Sequence, residues 1–344
     1  MSPRQLLATA ASLGLMALFG LGVYAALGTL QTRTTTAVAP TQEQALVDLP
    51  GTIFVAQGGS LYSLHNLTFT KLNTPAGNWV QVAPAPNGDV IAVDKGSGYS
   101  NVYLLSASGQ VLRTLLSESS ASYFNNHFAY YPRVSPNGQS LFYAWNWIDP
   151  YANYNVDFEV LSVPLSNTSV SPTVWSLSNL YYQGGDVEPL PLANGGLIYV
   201  KYATGTTGNA GAVYSQLAYV TTPGAQPQFL TTPAQNCSEP ALNPAGTEIA
   251  MICTNNQLQT STLQVASWNG TTLGTPAVLS TGPMAAMPTW SPNGTSLVFM
   301  NVTQRSLPFQ LYWIPKAASS KPGAAQQVTQ NLSLTATSDP VWYP

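Results

Sequence analysis

Apolar residues in this protein come in short runs that follow turn residues at a regular spacing. Val90-Ile91-Ala92-Val93, Leu141-Phe142-Tyr143-Ala144, Leu197-Ile198-Tyr199-Val200, Ile249-Ala250-Met251-Ile252 and Leu297-Val298-Phe299-Met300 each come after a glycine. Those glycines are Gly88, Gly138, Gly195, Gly246 and Gly294, spaced 50, 57, 51 and 48 residues apart. Runs of this length, bounded by turn signals and rich in β-branched and aromatic residues, read as buried strands. A second apolar run follows each first one, as in Val102-Tyr103-Leu104-Leu105 or Leu311-Tyr312-Trp313-Ile314. A shorter third run closes the unit, as in Gln228-Phe229-Leu230.

The segment before each glycine is itself repeated. Tyr131-Pro132-Arg133-Val134-Ser135-Pro136-Asn137-Gly138 and Met287-Pro288-Thr289-Trp290-Ser291-Pro292-Asn293-Gly294 are the fullest copies. Glu239-Pro240 to Gly246 is a degraded copy, and fainter ones end at Gly88 and Gly195. Asn-Gly suits a hairpin turn because both residues tolerate left-handed backbone. Each unit is therefore four strands, the first holding the phrase, and four-stranded units of this period are blades of a β-propeller.

Two fragments complete the count. Asp339-Pro340-Val341-Trp342-Tyr343-Pro344 matches a first strand, and Pro50-Gly51-Thr52-Ile53-Phe54-Val55 matches the turn and second strand that should follow it. The expectation is an all-β, six-bladed propeller over 50–344, closed by the C-terminal first strand pairing with the three N-terminal strands. Closure removes the sheet edges of an open array.

The phrase Pro-x-Trp-Ser-Pro-Asn-Gly-x-x-Leu-x-Phe resembles the repeat of TolB-like propellers, which is also similar to that in propeller domains of the dipeptidyl peptidase and prolyl oligopeptidase families. The resemblance covers about residues 50–344 and is carried by Pro288 to Phe299 and Pro132 to Phe142. Those families usually have Asp where Asn137 and Asn293 stand. The Gly-x-Ser-x-Gly elbow of the peptidases' hydrolase domain is absent from the sequence. The resemblance implies fold and leaves function open, because propellers host unrelated activities.

The N-terminus follows a different pattern. Leu6 to Leu30 is a 25-residue apolar stretch flanked by Arg4 and Arg33. Residues 1–30 are read as one apolar helix anchoring the protein in a membrane, or as a signal peptide cut near Val23-Tyr24-Ala25. Residues 31–49 read as a linker. Either reading puts the remaining residues outside the cytoplasm, single-pass anchored or released.

Composition narrows the function. Only 7% of residues are charged, against ~25% in ordinary globular proteins. Ten basic residues lie singly along a sequence of net charge −3, so nucleic acid is not a partner. No phosphate loop or zinc-ligand spacing occurs, and no cofactor, metal or catalytic residue is assigned.

Cys237 and Cys253 flank the Asn243–Gly246 turn symmetrically, so a hairpin sets them opposite each other. An extracytoplasmic disulfide is expected, the alternative being two buried thiols. Glu188, Glu239 and Asp339 each precede the repeat proline at the start of an innermost strand, with Asp186 nearby. They read either as an acidic channel mouth for a cation or basic peptide, or as acceptors for backbone N–H groups of neighbouring blades.

The long fourth-to-first and second-to-third connections emerge on one face. They carry Tyr123, Phe124, His127, Tyr131, Trp147, Tyr151, Tyr181 and Tyr182. Aromatics with few charges suit recognition of a protein or glycan, or loops packing on one another. His127 is either part of that surface or simply packed, and His65 reads as a surface turn residue. The functional expectation is a membrane-tethered propeller acting as a binding or scaffold subunit. The alternatives are a channel-mouth lyase or hydrolase using the acidic residues, or an accessory subunit of a membrane complex.

Overall fold

The computed structural model describes residues 45–122, 125–146, 158–176, 185–204 and 213–344. The anchor and signal readings, and most of the linker, fall on residues 1–44, outside the described residues. Among the described residues no helix is long and apolar enough to cross a membrane.

The described strands form six four-stranded antiparallel sheets. Blade 1 opens with β1 (Thr52–Gln57), β2 (Ser60–His65) and β3 (Thr68–Lys71). Blade 2 is β4 (Trp79–Pro84), β5 (Val90–Lys95), β6 (Ser100–Leu105) and β7 (Val111–Leu116). Blade 3 is β8 (Ala129–Val134), β9 (Ser140–Asn146), β10 (Phe158–Pro164) and β11 (Thr173–Val174). Blade 4 is β12 (Asp186–Pro191), β13 (Leu197–Thr204), β14 (Val213–Val220) and β15 (Gln228–Phe229). Blade 5 is β16 (Cys237–Leu242), β17 (Glu248–Asn255), β18 (Thr260–Ser267) and β19 (Ala277–Gly282). Blade 6 is β20 (Ala285–Trp290), β21 (Leu297–Asn301), β22 (Gln310–Ile314) and β23 (Gln326–Gln327). Finally β24 (Val341–Tyr343) pairs with β1 in the register Thr52↔Tyr343, Ile53↔Trp342 and Phe54↔Val341, completing blade 1.

The apolar runs are continuous because every blade is covered on both faces. Successive side chains of a strand point to opposite faces. In β1, Ile53 and Val55 pack with Val298, Met300 and Leu311 of blade 6, whereas Phe54 and Ala56 pack with Val82, Val90 and Ala92 of blade 2. The core is thus a set of apolar layers between blades. Ala45 and Leu49, at the end of the stretch read as linker, are buried in the layer between blades 1 and 6.

The repeated phrase has a local explanation. In blade 6 the Ser291 hydroxyl donates to Asn293 Oδ1 (2.7 Å) and accepts from Ser296 N–H (3.0 Å), while Gly294 N–H donates to the Ser291 carbonyl (2.8 Å). Gly294 has φ 70°. Ser135, Asn137 and Ser140 repeat the arrangement in blade 3. The indole Nε1 of Trp290 in the same phrase donates to the Ala241 carbonyl of blade 5 (3.0 Å), so the phrase both turns the backbone and joins blades.

Ring closure has its own contacts. Trp342 Nε1 donates to the Pro50 carbonyl (2.7 Å). The Tyr343 hydroxyl accepts from Ala85 N–H (2.8 Å) and lies within donating distance of the Ala85 (2.8 Å) and Asp89 (2.6 Å) carbonyls in blade 2.

Candidate functional site

All six blades contribute to one small central cavity, lined by Gln81, Tyr131, Arg133, Glu188, Glu239, Met287 and Asp339, among others. Four of these, Tyr131, Glu188, Glu239 and Met287, precede the repeat proline and have φ of 54°, 52°, 55° and 52°. Left-handed backbone is uncommon for such residues and costs on the order of 1–3 kcal/mol. At each one the pairing of first and second strand slips, for example between Ser238 and Ala241. The slip frees the residue's N–H from the ladder, so it needs another acceptor.

For Tyr131, Glu239 and Met287 the preceding blade supplies that acceptor. Gln81 Oε1 accepts from Tyr131 N–H (2.7 Å), Glu188 Oε2 from Glu239 N–H (2.6 Å) and Glu239 Oε2 from Met287 N–H. At the closing junction Ser338 Oγ accepts from Val82 N–H (2.8 Å). Asp339 is ion-paired with Arg133, joining blade 1 to blade 3.

Burial shapes the electrostatics. It raises the Glu188 carboxyl above the usual range, against the Glu239 N–H and the Arg133 charge, which lower it. Burial and then the neighbouring Glu188 charge raise Glu239, against the Met287 N–H. Burial lowers the Arg133 guanidinium to about 10, with Glu188 opposing. Burial, followed by the Glu188 and Glu239 charges, raises the Tyr131 hydroxyl. Tyr202 is raised for the same reasons. The cavity volume is about 10 Å³, room for roughly one water.

Of the four acidic residues expected at the channel, Glu188, Glu239 and Asp339 line it, and Asp186 does not. Asp186 is fully buried opposite Lys201, whose Nζ donates to its Oδ1 (3.0 Å). Burial raises the Asp186 carboxyl, and Lys201 and Ser176 oppose it. Asp186–Lys201 occupies the same ladder position in blade 4 as Cys237–Cys253 in blade 5, two residues before the channel glutamate in each case. The two cysteines form a disulfide with Cα atoms 4.0 Å apart.

On the loop face, Tyr123, Phe124, Trp147, Tyr151, Tyr181 and Tyr182 lie outside the described residues. Tyr131, grouped with them from the sequence, lines the channel, because the strand slip turns it inward. His127 is packed: its ring stacks on Trp145 at 4.2 Å and its Nδ1 lies 3.0 Å from the Asn146 carbonyl. Trp145 Nε1 donates to Glu118 Oε2 (2.9 Å). His65 is exposed beside Gly51 and Thr52.

Sequence reasoning passed over Gln81, Ser338 and Arg133. Arg133 alone carried a signal, as a charge inside the phrase of a charge-poor sequence. A hydroxyl device was also missed: Thr231 and Thr329 accept from the Leu217 and Leu311 N–H groups (both 2.9 Å), each just after a short outer strand.

No protein-family model matches the protein, and no curated protein matches it in sequence. Solved structures match its fold. TolB from Acinetobacter baumannii aligns with TM-score 0.64 and 15% identity over 87% of this chain and 68% of that one. A protein from Agrobacterium tumefaciens assigned to TolB aligns with TM-score 0.54 and 17% identity over 71% and 83%. An oligogalacturonate lyase in complex with manganese aligns with TM-score 0.50 and 14% identity over 79% and 70%. Identities this low speak to fold alone: the protein is a six-bladed β-propeller whose fold is similar to that of TolB.

Proposed function

We propose that the protein is an extracytoplasmic propeller that recognises another protein or a glycan through its loop face, tethered to a membrane through residues 1–30. The observation that carries this reading is the commitment of the channel residues to the ring itself. Glu188 and Glu239 each hold a backbone N–H of the next blade, Asp339 holds Arg133, and the space left is about 10 Å³. A channel so occupied serves as a hub, which leaves recognition to the outer surface. The disulfide supports an oxidising compartment. The aromatic content of the connections on one face supports that face as the recognition surface, since aromatic anchors dominate binding energy at interfaces.

The experiment is affinity capture from native membranes with the full-length protein, compared with a variant bearing Tyr123→Ala, Trp147→Ala and Tyr181→Ala. Loss of a specific partner in the variant, with an unchanged melting temperature, is the expected result. Partner recovery equal to that of the parent protein refutes this face as the binding surface.

A further inference from the structure

Five Asn-Gly pairs occur in the protein. Asparagine before glycine is prone to lose its side-chain amide, because glycine has no Cβ to hinder its own nitrogen from attacking the asparagine Cγ. Whether it does so depends on how firmly the folded turn holds the two reacting groups.

Four pairs are held. Asn137 Oδ1 accepts from the Ser135 hydroxyl (2.6 Å) and Gln139 N–H (3.1 Å), while Gly138 N–H is spent on the Ser135 carbonyl (2.8 Å). Asn293 and Gly294 repeat this with Ser291 (2.7 Å) and Thr295 (3.0 Å). Asn194 Oδ1 accepts from Gly196 N–H (3.0 Å), and Gly195 N–H donates to the Leu192 carbonyl (3.1 Å). Asn269 accepts from Thr271 N–H (3.0 Å) and Thr272 N–H (2.8 Å) and donates to Thr272 Oγ1 (2.8 Å).

The fifth pair, Asn87-Gly88, differs at the asparagine and in the course of its turn. Ala85 stands where Ser135 and Ser291 provide their hydroxyls. Asn87 is exposed with φ 65° and ψ 19°, so this turn has a different backbone course. The Asn87 amide has no hydrogen-bond partner among the described residues, and residues 86–88 form a single 3-10 turn. The space around Gly88 is open, as it is at Gly195 and Gly270, with nothing within 4 Å of a Cβ placed at any of the three.

We propose that Asn87 is a site of spontaneous deamidation, the one Asn-Gly pair whose turn does not protect it. The Gly88 nitrogen attacks Asn87 Cγ and a new bond forms between them, closing a five-membered imide. The bond from Asn87 Cγ to its amide nitrogen Nδ2 breaks, and ammonia leaves with the proton displaced from the Gly88 nitrogen. Water then opens the imide at either carbonyl, giving aspartate or isoaspartate, so water is the only co-reactant. The product puts a carboxylate two residues from Asp89, in the turn whose Ala85 and Asp89 carbonyls face the Tyr343 hydroxyl of the closing strand. Isoaspartate lengthens the backbone there and loosens that contact.

The full-length protein is incubated in mildly alkaline buffer, folded and in denaturant. Peptide mapping follows the exchange of amide for carboxyl at the five asparagines, and isoaspartyl methyltransferase labelling identifies the isomer. In the folded protein Asn87 converts about tenfold or more faster than Asn137 and Asn293, the factor carried by about 1.4 kcal/mol of turn hydrogen bonding. In denaturant the five rates converge. Ala85→Ser slows Asn87 toward the Asn137 rate. Equal rates in the folded protein overturn the assignment, as does an Asn87 rate unaffected by Ala85→Ser in a folded variant. If that variant does not fold, the comparison of five sites within one molecule decides alone.

Discussion

Glu239 is the channel residue whose replacement separates two effects. Its Oε2 accepts the Met287 N–H, while its own N–H donates to Glu188 Oε2. Glu239→Ala leaves a left-handed, enclosed N–H without an acceptor, which costs about 1–3 kcal/mol. Glu239→Gln keeps an acceptor oxygen and removes the titration. Burial raises both carboxyls above their ordinary value of 4.5, and Arg133, Asp339, Tyr131 and Tyr202 stand around them. A folded-state value raised above the unfolded one gives stability that is complete below about 4.5 and lost as pH rises through the raised values. The parent protein therefore weakens as pH rises from about 4.5, by up to about 1.4 kcal/mol per pH unit for each extra proton the folded state holds. Urea unfolding at a series of pH values measures this. Glu239→Gln is expected to flatten the slope and to match or exceed the parent above pH ~8, while Glu239→Ala is weaker throughout, least so at alkaline pH. A parent protein that gains stability over this range, or a Glu239→Gln slope equal to the parent's, refutes the account.

Two further outcomes follow from contacts elsewhere in the ring. Replacing Cys237 and Cys253 together by Ala opens a link between residues 16 apart and lowers stability by about 3 kcal/mol, read as a fall in the urea midpoint that reducing agent reproduces in the parent protein. Tyr343→Phe removes a hydroxyl set among Ala85 N–H and the Ala85 and Asp89 carbonyls; a loss of about 1–2 kcal/mol is expected in thermal melts, and no change excludes that latch from ring closure.

The ring was legible because its information is local and repeated. Ser291, Asn293 and Gly294 make a turn whose chemistry is complete within a few residues, and the half-phrase at Asp339–Pro344 matches the half missing before Thr52. The position of Cys237 opposite Cys253 was legible for the same reason, since a hairpin's register follows from its turn. The channel chemistry was only partly so. That Glu188 and Glu239 precede prolines is visible, and backbone hydrogen bonding to a neighbouring blade was one of the two readings. Which reading holds depends on left-handed backbone at those residues, and a residue before proline ordinarily favours extended backbone. Tyr131 and Asp186 went to the wrong places because a one-residue slip in pairing exchanges the two faces of a strand. Gln81 and Ser338 gave no sign at all, since their partners, Tyr131 N–H and Val82 N–H, are 50 and 256 residues away.

The pairing of β24 with β1 sets an order of events during synthesis. Residues 52–54 find their inner partner only in residues 341–343, so the five blades between them must be made before blade 1 is complete. Until then β1 has a free edge, and Phe54 lacks the cover of Val341. Contacts this distant in sequence form slowly, and an unpaired strand edge invites pairing with other molecules. The newly made protein therefore passes through an interval as an open arc of blades. During that interval its greatest exposure to aggregation, or to a chaperone's grip, is at the unfinished first blade.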